Sequence, residues 1–321
     1  MARFSLLPRS LADFGGSLPA SLRGAGWMLL SAACFAVMAS MIRASANSLH
    51  PFEIAFFRSF FGFLILAPWL MRSGLGILKT RRIGFYTLRG ITGAVTMLAW
   101  FMGLSLMPLA EAVALGFTVP LFVTLGAALF FGERMHTRRI LALIAGFLGA
   151  LIILRPGSGL FDLGAAVILF SALTMASANL MVKELARTEP VQAVVTYMTI
   201  FMAPLTLIPA LFVWRNPDSQ ELVFLFVLAA FATLGNYAMT RAVSTADASA
   251  VMPFDYARLP FAALIGYMVF SELPDLWTWV GAGIIALATL FIAHREALTG
   301  RRPGRGRPGN AGALGKKEQT L

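Results

Sequence analysis

The sequence predicts an all-α integral membrane protein with ten transmembrane helices, arranged as two inverted five-helix repeats. The first observation is composition: 58% of the 321 residues are hydrophobic and only 13% are charged, about half the charged fraction of a soluble protein. The second is a series of long apolar runs, and the third is a similarity between two of those runs. A water-soluble fold is excluded, because so few charges cannot cover so much apolar surface.

A helix needs about 20 apolar residues to cross the hydrocarbon core of a bilayer, and ten runs of about this length follow one another along the chain. Short links with Pro, Gly or Asn, such as residues 47–51 and 155–159, separate many of them. The runs are continuous rather than alternating, which excludes a membrane β-barrel. The predicted spans are residues 25–45, 52–71, 84–106, 109–131, 139–154, 163–183, 191–213, 221–242, 248–271 and 276–293.

Basic residues predict the orientation of these spans. Of the 26 Lys and Arg residues, 20 lie in one alternate set of links and in the chain ends, whereas the opposite set of links holds only Arg155 and Arg215. Because basic residues mark the cytoplasmic side, we expect residues 1–24 to form a cytoplasmic segment and residues 294–321 a basic, disordered cytoplasmic tail. Most of the net charge of +11 lies in these ends, which indicates topology and attraction to membrane lipid and no nucleic-acid partner.

Self-comparison reveals an internal repeat. Residues 110–114 (AEAVA) open the fourth span and residues 246–250 (ADASA) open the ninth. Each of these spans contains a proline, Pro120 or Pro260, and is followed by a glutamate. Each stands fourth in a group of five, and because five is odd the second group enters the membrane from the opposite side. Inverted repeats are typical of secondary transporters; the alternative is chance similarity between Ala-rich helices. The predicted repeats are residues 25–154 and 155–293.

The ninth span carries the clearest candidate site. Asp255 and Arg258 are three residues apart, so they share one face of a helix near the middle of the span. Pro253 and Pro260 flank them, and each proline removes a backbone hydrogen bond. Charged groups in a membrane core mark either a transport pathway or a structural pair. We expect this pair to bind polar groups of a substrate; the alternative is an ion pair that fixes helix packing.

Further candidates are chosen by residue type. Tyr256 is the first aromatic candidate because it lies between Asp255 and Arg258 in the sequence. If the ligand were a flavin, flat aromatic rings could stack on its ring system, while Asp, Asn or Arg could bind its hydroxyls and carbonyls. The remaining substrate-binding candidates are Arg58, Trp100, Tyr197 and Asn236.

Other charged residues leave two interpretations open. Arg58 and Arg89 either snorkel to a membrane surface or face an internal cavity. Glu53 and Arg58 are not expected to pair with each other, because a spacing of five residues places them about 140° apart around a helix. Glu111 and Asp247 occupy equivalent positions in the two repeats, where they either complement the helix dipole or relay protons.

Three segments resemble a known family. They are residues 50–58 (HPFEIAFFR), the block from Pro120 to Arg134, and the block that ends in Ser271-Glu272. Together they are similar to the paired EamA domains of the drug/metabolite transporter (DMT) superfamily, over residues 25–293. The resemblance implies ten helices, two inverted halves and a central cavity, in a bacterial inner membrane protein. Ser271 departs from the family's usual glycine at that turn.

Residues 253–258 (PFDYAR) make the pattern most similar to alphaproteobacterial members that include riboflavin importers. The resemblance therefore implies a secondary transporter that moves a small organic metabolite across the inner membrane by alternating access, with riboflavin uptake as the specific expectation. An exporter of amino acids or related metabolites is the alternative within this class.

Catalysis is not expected. The three histidines, His50, His136 and His294, lie in different links and in the tail, without the spacing of metal ligands. The chain has no glycine-rich phosphate loop followed by Lys-Ser or Lys-Thr. We therefore predict no enzyme activity, no cofactor and no metal; a polytopic membrane enzyme is the alternative from a different class. The sequence does not predict an oligomeric state.

Overall fold

Every regular element in the described part of the chain is helical. The computed structural model describes residues 19–73, 80, 82–131, 137–154, 163–185, 187–189, 191–246 and 251–300. The helices in these ranges are α1 (Ala20–Ser45), α2 (Pro51–Ser73), α3 (Ile83–Leu106), α4 (Leu109–Gly116), α5 (Val119–Phe131), α6 (Thr137–Leu154), α7 (Leu163–Leu185), α8 (Val191–Leu211), α9 (Ser219–Thr245), a 3₁₀ helix (Met252–Ala257), α10 (Arg258–Phe270) and α11 (Leu276–Gly300).

The predicted all-α membrane fold is confirmed. Eight of the predicted spans correspond to one α-helix each, and the fourth and ninth spans are each divided in two. Within the described ranges, six segments are long and apolar enough to cross a bilayer, and three shorter apolar helices match the fifth, seventh and tenth predicted spans. The six long segments are Leu22–Ser45, Pro51–Pro68, Ile83–Leu106, Leu109–Phe130, Leu163–Leu185 and Ser219–Thr245.

Both divided spans contain a proline near the division. α4 and α5 are separated by a turn at Phe117–Thr118, and Pro120 is the second residue of α5. Pro253 lies at the start of the 3₁₀ helix, and Pro260 lies in the first turn of α10. Proline has no N–H to donate to the preceding turn, which explains why the regular helical hydrogen bonding is interrupted near these prolines. The two repeats therefore share an interrupted fourth helix.

Helix packing also follows the repeat. The most extensive contacts join a helix of the first repeat to one of the second: α1 with α9, α2 with α8, α3 with α7, and α6 with α11. If each helix is replaced by its equivalent in the other repeat, the α1–α9 pair becomes the α7–α3 pair. The α2–α8 and α6–α11 pairs stay the same. The smaller contact of α5 with α7 likewise corresponds to that of α10 with α1. This pattern is what two inverted five-helix repeats produce.

Small residues let two of these helices approach closely. A Cβ atom added at Gly281 of α11 would lie 2.5 Å from the carbonyl oxygen of Gly149 in α6, and a Cβ added at Gly149 would lie 2.8 Å from the Gly281 carbonyl. Glycines at such positions allow the backbones of membrane helices to touch. This contact joins α6, the last helix of the first repeat, to α11, the last helix of the second repeat.

The structure extends one predicted boundary and leaves others outside its range. α11 continues to Gly300, so residues 294–300 of the predicted disordered tail are helical. Their Arg, Glu, Ala and Leu residues favour a helix and a glycine ends it. Residues 1–18 and 301–321 lie outside the described residues, as does Asp247. We call the face at which α1 begins and α11 ends the terminal face, and the other the opposite face.

Candidate functional site

The predicted pairing of Asp255 with Arg258 is present. Arg258 Nη2 donates a hydrogen bond of 2.6 Å to Asp255 Oδ1, and the two side chains are 24% and 20% exposed. Asp255 belongs to the 3₁₀ helix, whereas Arg258 is the first residue of α10. The pair therefore bridges the point at which the ninth span changes its helical geometry.

An aromatic ring of the first repeat supports the arginine. The guanidinium carbon of Arg258 lies 4.8 Å from the ring centroid of Phe35 in α1, within the range of a cation–π contact. Phe35 lies 15 residues after the start of α1 and 10 before its end, about 15 Å from the opposite face. Because the hydrocarbon core is about 30 Å thick, the charged pair lies near its middle.

The break between α4 and α5 is contacted by aromatic side chains from both repeats. The ring of Tyr256 lies 4.6 Å, centroid to centroid, from Phe117 in the turn. A Cβ added at Gly116 would lie 2.9 Å from the indole of Trp100 in α3. Trp100 and Tyr256 thus both contact the α4–α5 break, and Tyr256 adjoins Asp255 in the sequence. We call Phe35, Trp100, Phe117 and Tyr256 the central aromatic cluster.

Arg58 lies against α3. Its Nη1 is 3.5 Å from the Sδ atom of Met97, and its side chain keeps part of its surface accessible between buried neighbours. Glu53 is fully buried and does not pair with Arg58, as their spacing predicts. Instead its carboxylate accepts hydrogen bonds from the backbone N–H groups of Arg215 at 2.6 Å and His50 at 3.1 Å.

Two further sequence candidates, Tyr197 and Asn236, contact groups other than the charged pair. Tyr197 stacks on Tyr86 with ring centroids 4.3 Å apart, close to the terminal-face ends of α8 and α3. The Asn236 amide donates to the Ala232 carbonyl of its own helix at 2.8 Å. Residue type selected these two: Tyr197 contacts α3, and Asn236 follows Gly235, which packs on Phe35.

A polar network at the opposite face was missed by reasoning from sequence. Arg43, at the end of α1, donates to the Glu272 carboxylate and to the Met107 carbonyl. The other oxygen of Glu272 accepts from the Leu109 N–H at 3.2 Å. This network, which we call the opposite-face latch, joins α1 and the α3–α4 link to the α10–α11 link. Ser271 precedes Glu272 with φ of 57°, in the left-handed region that favours glycine.

Polar contacts also join the repeats at the terminal face. The Thr80 hydroxyl donates to Glu189 at 2.8 Å, and Arg82 Nη1 donates to the Thr188 hydroxyl at 2.9 Å. These contacts connect the α2–α3 link to the α7–α8 link. Polar contacts thus join the two repeats at both faces, with the charged pair between them in depth. Among the described residues, no group of three His, Cys, Asp or Glu side chains could hold a metal ion.

Two inverted helical repeats, each with an interrupted fourth helix, around a charged pair at mid-depth define a secondary transporter. The chain belongs to the EamA-like transporter family, whose sequence profile matches residues 22–155 and 162–294. The family appears twice, once in each predicted repeat. The protein is therefore a multi-pass membrane transporter of small metabolites and not an enzyme.

Similar proteins are named for different substrates. An S-adenosylmethionine uptake transporter of Rickettsia felis is 33% identical over 280 residues, which cover 87% of this chain and 95% of the relative. A riboflavin transporter of Vibrio cholerae is 33% identical over 286 residues, 88% of this chain and 96% of the relative. A pseudopaline exporter of Pseudomonas aeruginosa is 30% identical over 273 residues, 84% and 95% of the two chains.

A solved structure shares the fold. It aligns with a TM-score of 0.59 at 19% sequence identity, covering 88% of this chain and 99% of the other. The aligned part includes most of both repeats, so the helical fold of this chain is shared by another protein.

Proposed function

We propose that this protein imports a small organic metabolite, with riboflavin as the first candidate, by alternating access of its two repeats. The main support for this proposal is the Asp255–Arg258 pair, which lies at mid-depth on an interrupted helix. The pair offers both a hydrogen-bond acceptor and a donor to a ligand. In the proposed cycle, the polar contacts at the terminal face and the opposite-face latch open in turn around this site.

The central aromatic cluster supports a substrate with a flat ring. Trp100 and Tyr256 contact the α4–α5 break, and Tyr256 adjoins Asp255 of the charged pair in the sequence. Aromatic faces stack on flat ring systems, while Asp255 and Arg258 suit the ribityl hydroxyls and ring carbonyls of riboflavin. The riboflavin transporter of Vibrio cholerae, at 33% identity, also supports this candidate. The pseudopaline exporter keeps export of an amino-acid-like metabolite as the alternative.

A complementation assay tests the proposal. The protein is expressed in a riboflavin auxotroph that lacks its own uptake system, and entry of labelled riboflavin is measured. We expect growth at low external riboflavin, and at least tenfold slower uptake after Asp255→Asn or Arg258→Gln. Arg187→Gln is the matched control, because this arginine is exposed at the terminal face and 3.1 Å from Glu184. Absence of uptake in cells that insert the protein would reject riboflavin import, and resistance to external amino-acid analogues would then favour export.

We further propose that the protein lies in the bacterial inner membrane with its terminal face in the cytoplasm. The distribution of Lys and Arg in the links supports this orientation. Cysteines introduced by Ser48→Cys at the opposite face and Thr188→Cys at the terminal face test it with a membrane-impermeant maleimide. In intact cells we expect the maleimide to label the Ser48→Cys variant and not the Thr188→Cys variant. Labelling of the Thr188→Cys variant alone would show that the orientation is the reverse of the one proposed.

A further inference from the structure

Arg58 and Arg89 lie within helices, away from both ends, and have no carboxylate partner among the described residues. Arg58 of α2 and Arg89 of α3 form no ion pair with any Asp or Glu among the described residues, whereas Arg43, Arg215 and Arg258 each do. Arg89 is only 5% exposed, and its Nε atom is buried without a hydrogen-bond partner. Arginine stays protonated in proteins, so both side chains keep their positive charge.

Both guanidinium groups lie on one face of α3. The Nη1 atom of Arg89 extends along its own helix to Gly93, where an added Cβ would lie 2.5 Å away. Arg58 Nη1 approaches Met97 from α2 at 3.5 Å. Gly93 and Met97 are four residues apart and therefore share a face, with a rise of about 6 Å between them. The two positive charges thus point at neighbouring turns of the same helix.

The surroundings do not neutralise these charges. Met97 presents its sulfur to Arg58, and the sulfur of Met202 in α8 lies 3.5 Å from the Cβ position of Gly93, beside the Arg89 guanidinium. A thioether is a weak, uncharged acceptor. A buried charge is costly unless it is paired, and two neighbouring positive charges also repel each other. An anionic group bound between them would remove both costs.

We propose that Arg58 and Arg89, facing Gly93 and Met97 of α3, form a binding site for an anionic carboxylate or phosphate group during transport. Riboflavin has no such group, so with riboflavin as substrate the anion binds as a separate small ion, whereas an anion carried by the metabolite would favour the amino-acid-like alternative. The inference rests on the proposed transport function and deepens it by naming a chemical group that the Asp255–Arg258 pair does not select. Arginine suits this role because its planar fork binds carboxylate and phosphate through two parallel hydrogen bonds.

The site is tested with the purified full-length protein by thermal unfolding in detergent. Inorganic phosphate and succinate are titrated at constant ionic strength set with chloride. We expect saturable stabilisation of the wild type, with an apparent affinity at least about tenfold lower in Arg58→Gln and Arg89→Gln, because each loses a charge-assisted contact. Arg187→Gln removes an exposed, ion-paired arginine and keeps the wild-type response. Equal stabilisation of all four proteins, or none, would overturn the proposal.

Two further variants separate binding from folding. Without added phosphate or succinate, Arg58→Gln should unfold at or above the wild-type temperature, because it removes an unpaired charge; a clear loss of stability would instead indicate a structural partner and overturn the site. Gly93→Ala keeps both charges but displaces the Arg89 guanidinium, so it should weaken phosphate stabilisation. An unchanged response in Gly93→Ala would contradict the assigned geometry.

Uptake assays identify the source of the anionic group. If phosphate inhibits uptake of the labelled metabolite in wild type and not in Arg58→Gln, the group belongs to the metabolite. If phosphate stimulates wild-type uptake and not that of Arg58→Gln, it binds as a separate ion. The unfolding assay needs neither riboflavin nor transport, so failure of riboflavin import does not affect it.

Discussion

Replacing Asp255 by Asn removes the carboxylate that pairs with the Arg258 guanidinium near the middle of the membrane. The charged hydrogen bond that is lost spans 2.6 Å between side chains about one-fifth to one-quarter exposed. A hydrogen bond to a charged group contributes about 1.5–3 kcal/mol, and breaking a fully buried pair costs about 3–5 kcal/mol. Because this pair is partly accessible, we expect Asp255→Asn to lower the free energy of unfolding by about 1–3 kcal/mol.

A double-mutant cycle separates stability from transport. Asp255→Asn, Arg258→Gln and the double variant are compared by thermal unfolding and by uptake of the labelled metabolite. Because the double variant leaves no unpaired charge, it should recover about 1 kcal/mol or more of the loss relative to the sum of the single variants. Uptake, however, should stay at least tenfold below wild type, because the ligand has lost both charged partners.

One result would refute this reasoning directly. If the double variant regains both stability and wild-type uptake, the pair only fixes helix packing. The charge-exchanged variant, Asp255→Arg with Arg258→Asp, provides a second control because it keeps the pair but reverses its direction. A binding role predicts a folded protein with impaired uptake, whereas a purely structural role predicts near-normal uptake.

Three other predictions follow from individual positions. Ser271→Gly should raise the free energy of unfolding by about 0.5–1 kcal/mol in thermal unfolding, because φ of 57° is unfavourable for residues with a Cβ; a lower stability would contradict the assigned turn. Arg43→Gln should open the opposite-face latch and speed maleimide labelling of the buried Cys34, and an unchanged labelling rate would show that the latch does not control access. Gly281→Ala should cost about 1–3 kcal/mol because its methyl meets the α6 backbone, whereas Gly283→Ala on the same helix, with nothing within 4 Å, should change stability little; equal effects would reject the close helix contact.

The features predictable from sequence are those with a local or periodic cause. Span number follows from run length and hydropathy, and the Asp255–Arg258 pair follows from a spacing of three residues. The separation of Glu53 from Arg58 follows in the same way from helix geometry. Asp255 and Arg258 lie in one predicted span, and Glu53 and Arg58 lie in one helix, so their short spacing along the chain is enough to place them.

Contacts between helices could not be predicted in this way. Arg43 and Glu272 are 229 residues apart, and no local pattern brings them together. From sequence, Arg89 could either snorkel to a membrane surface or face a cavity, and its burial depends on the space beside Gly93 and on the approach of α8. Tyr197 and Asn236 were chosen for their chemistry, but chemistry does not determine which helix face a residue occupies.

The exchange-symmetric pairing of helices has a consequence for biogenesis. Because α1, α2, α3 and α6 each pack mainly on a helix of the second repeat, the first repeat leaves the ribosome before its principal partners exist. The helix faces of the first repeat that become buried in the finished protein, including Arg58 and Arg89, are then exposed to lipid or to an insertion factor until α7–α11 are synthesised. Conversely, a chain cut between Leu154 and Leu163 should stay assembled, since the helix pairs, rather than that link, hold the two pieces together.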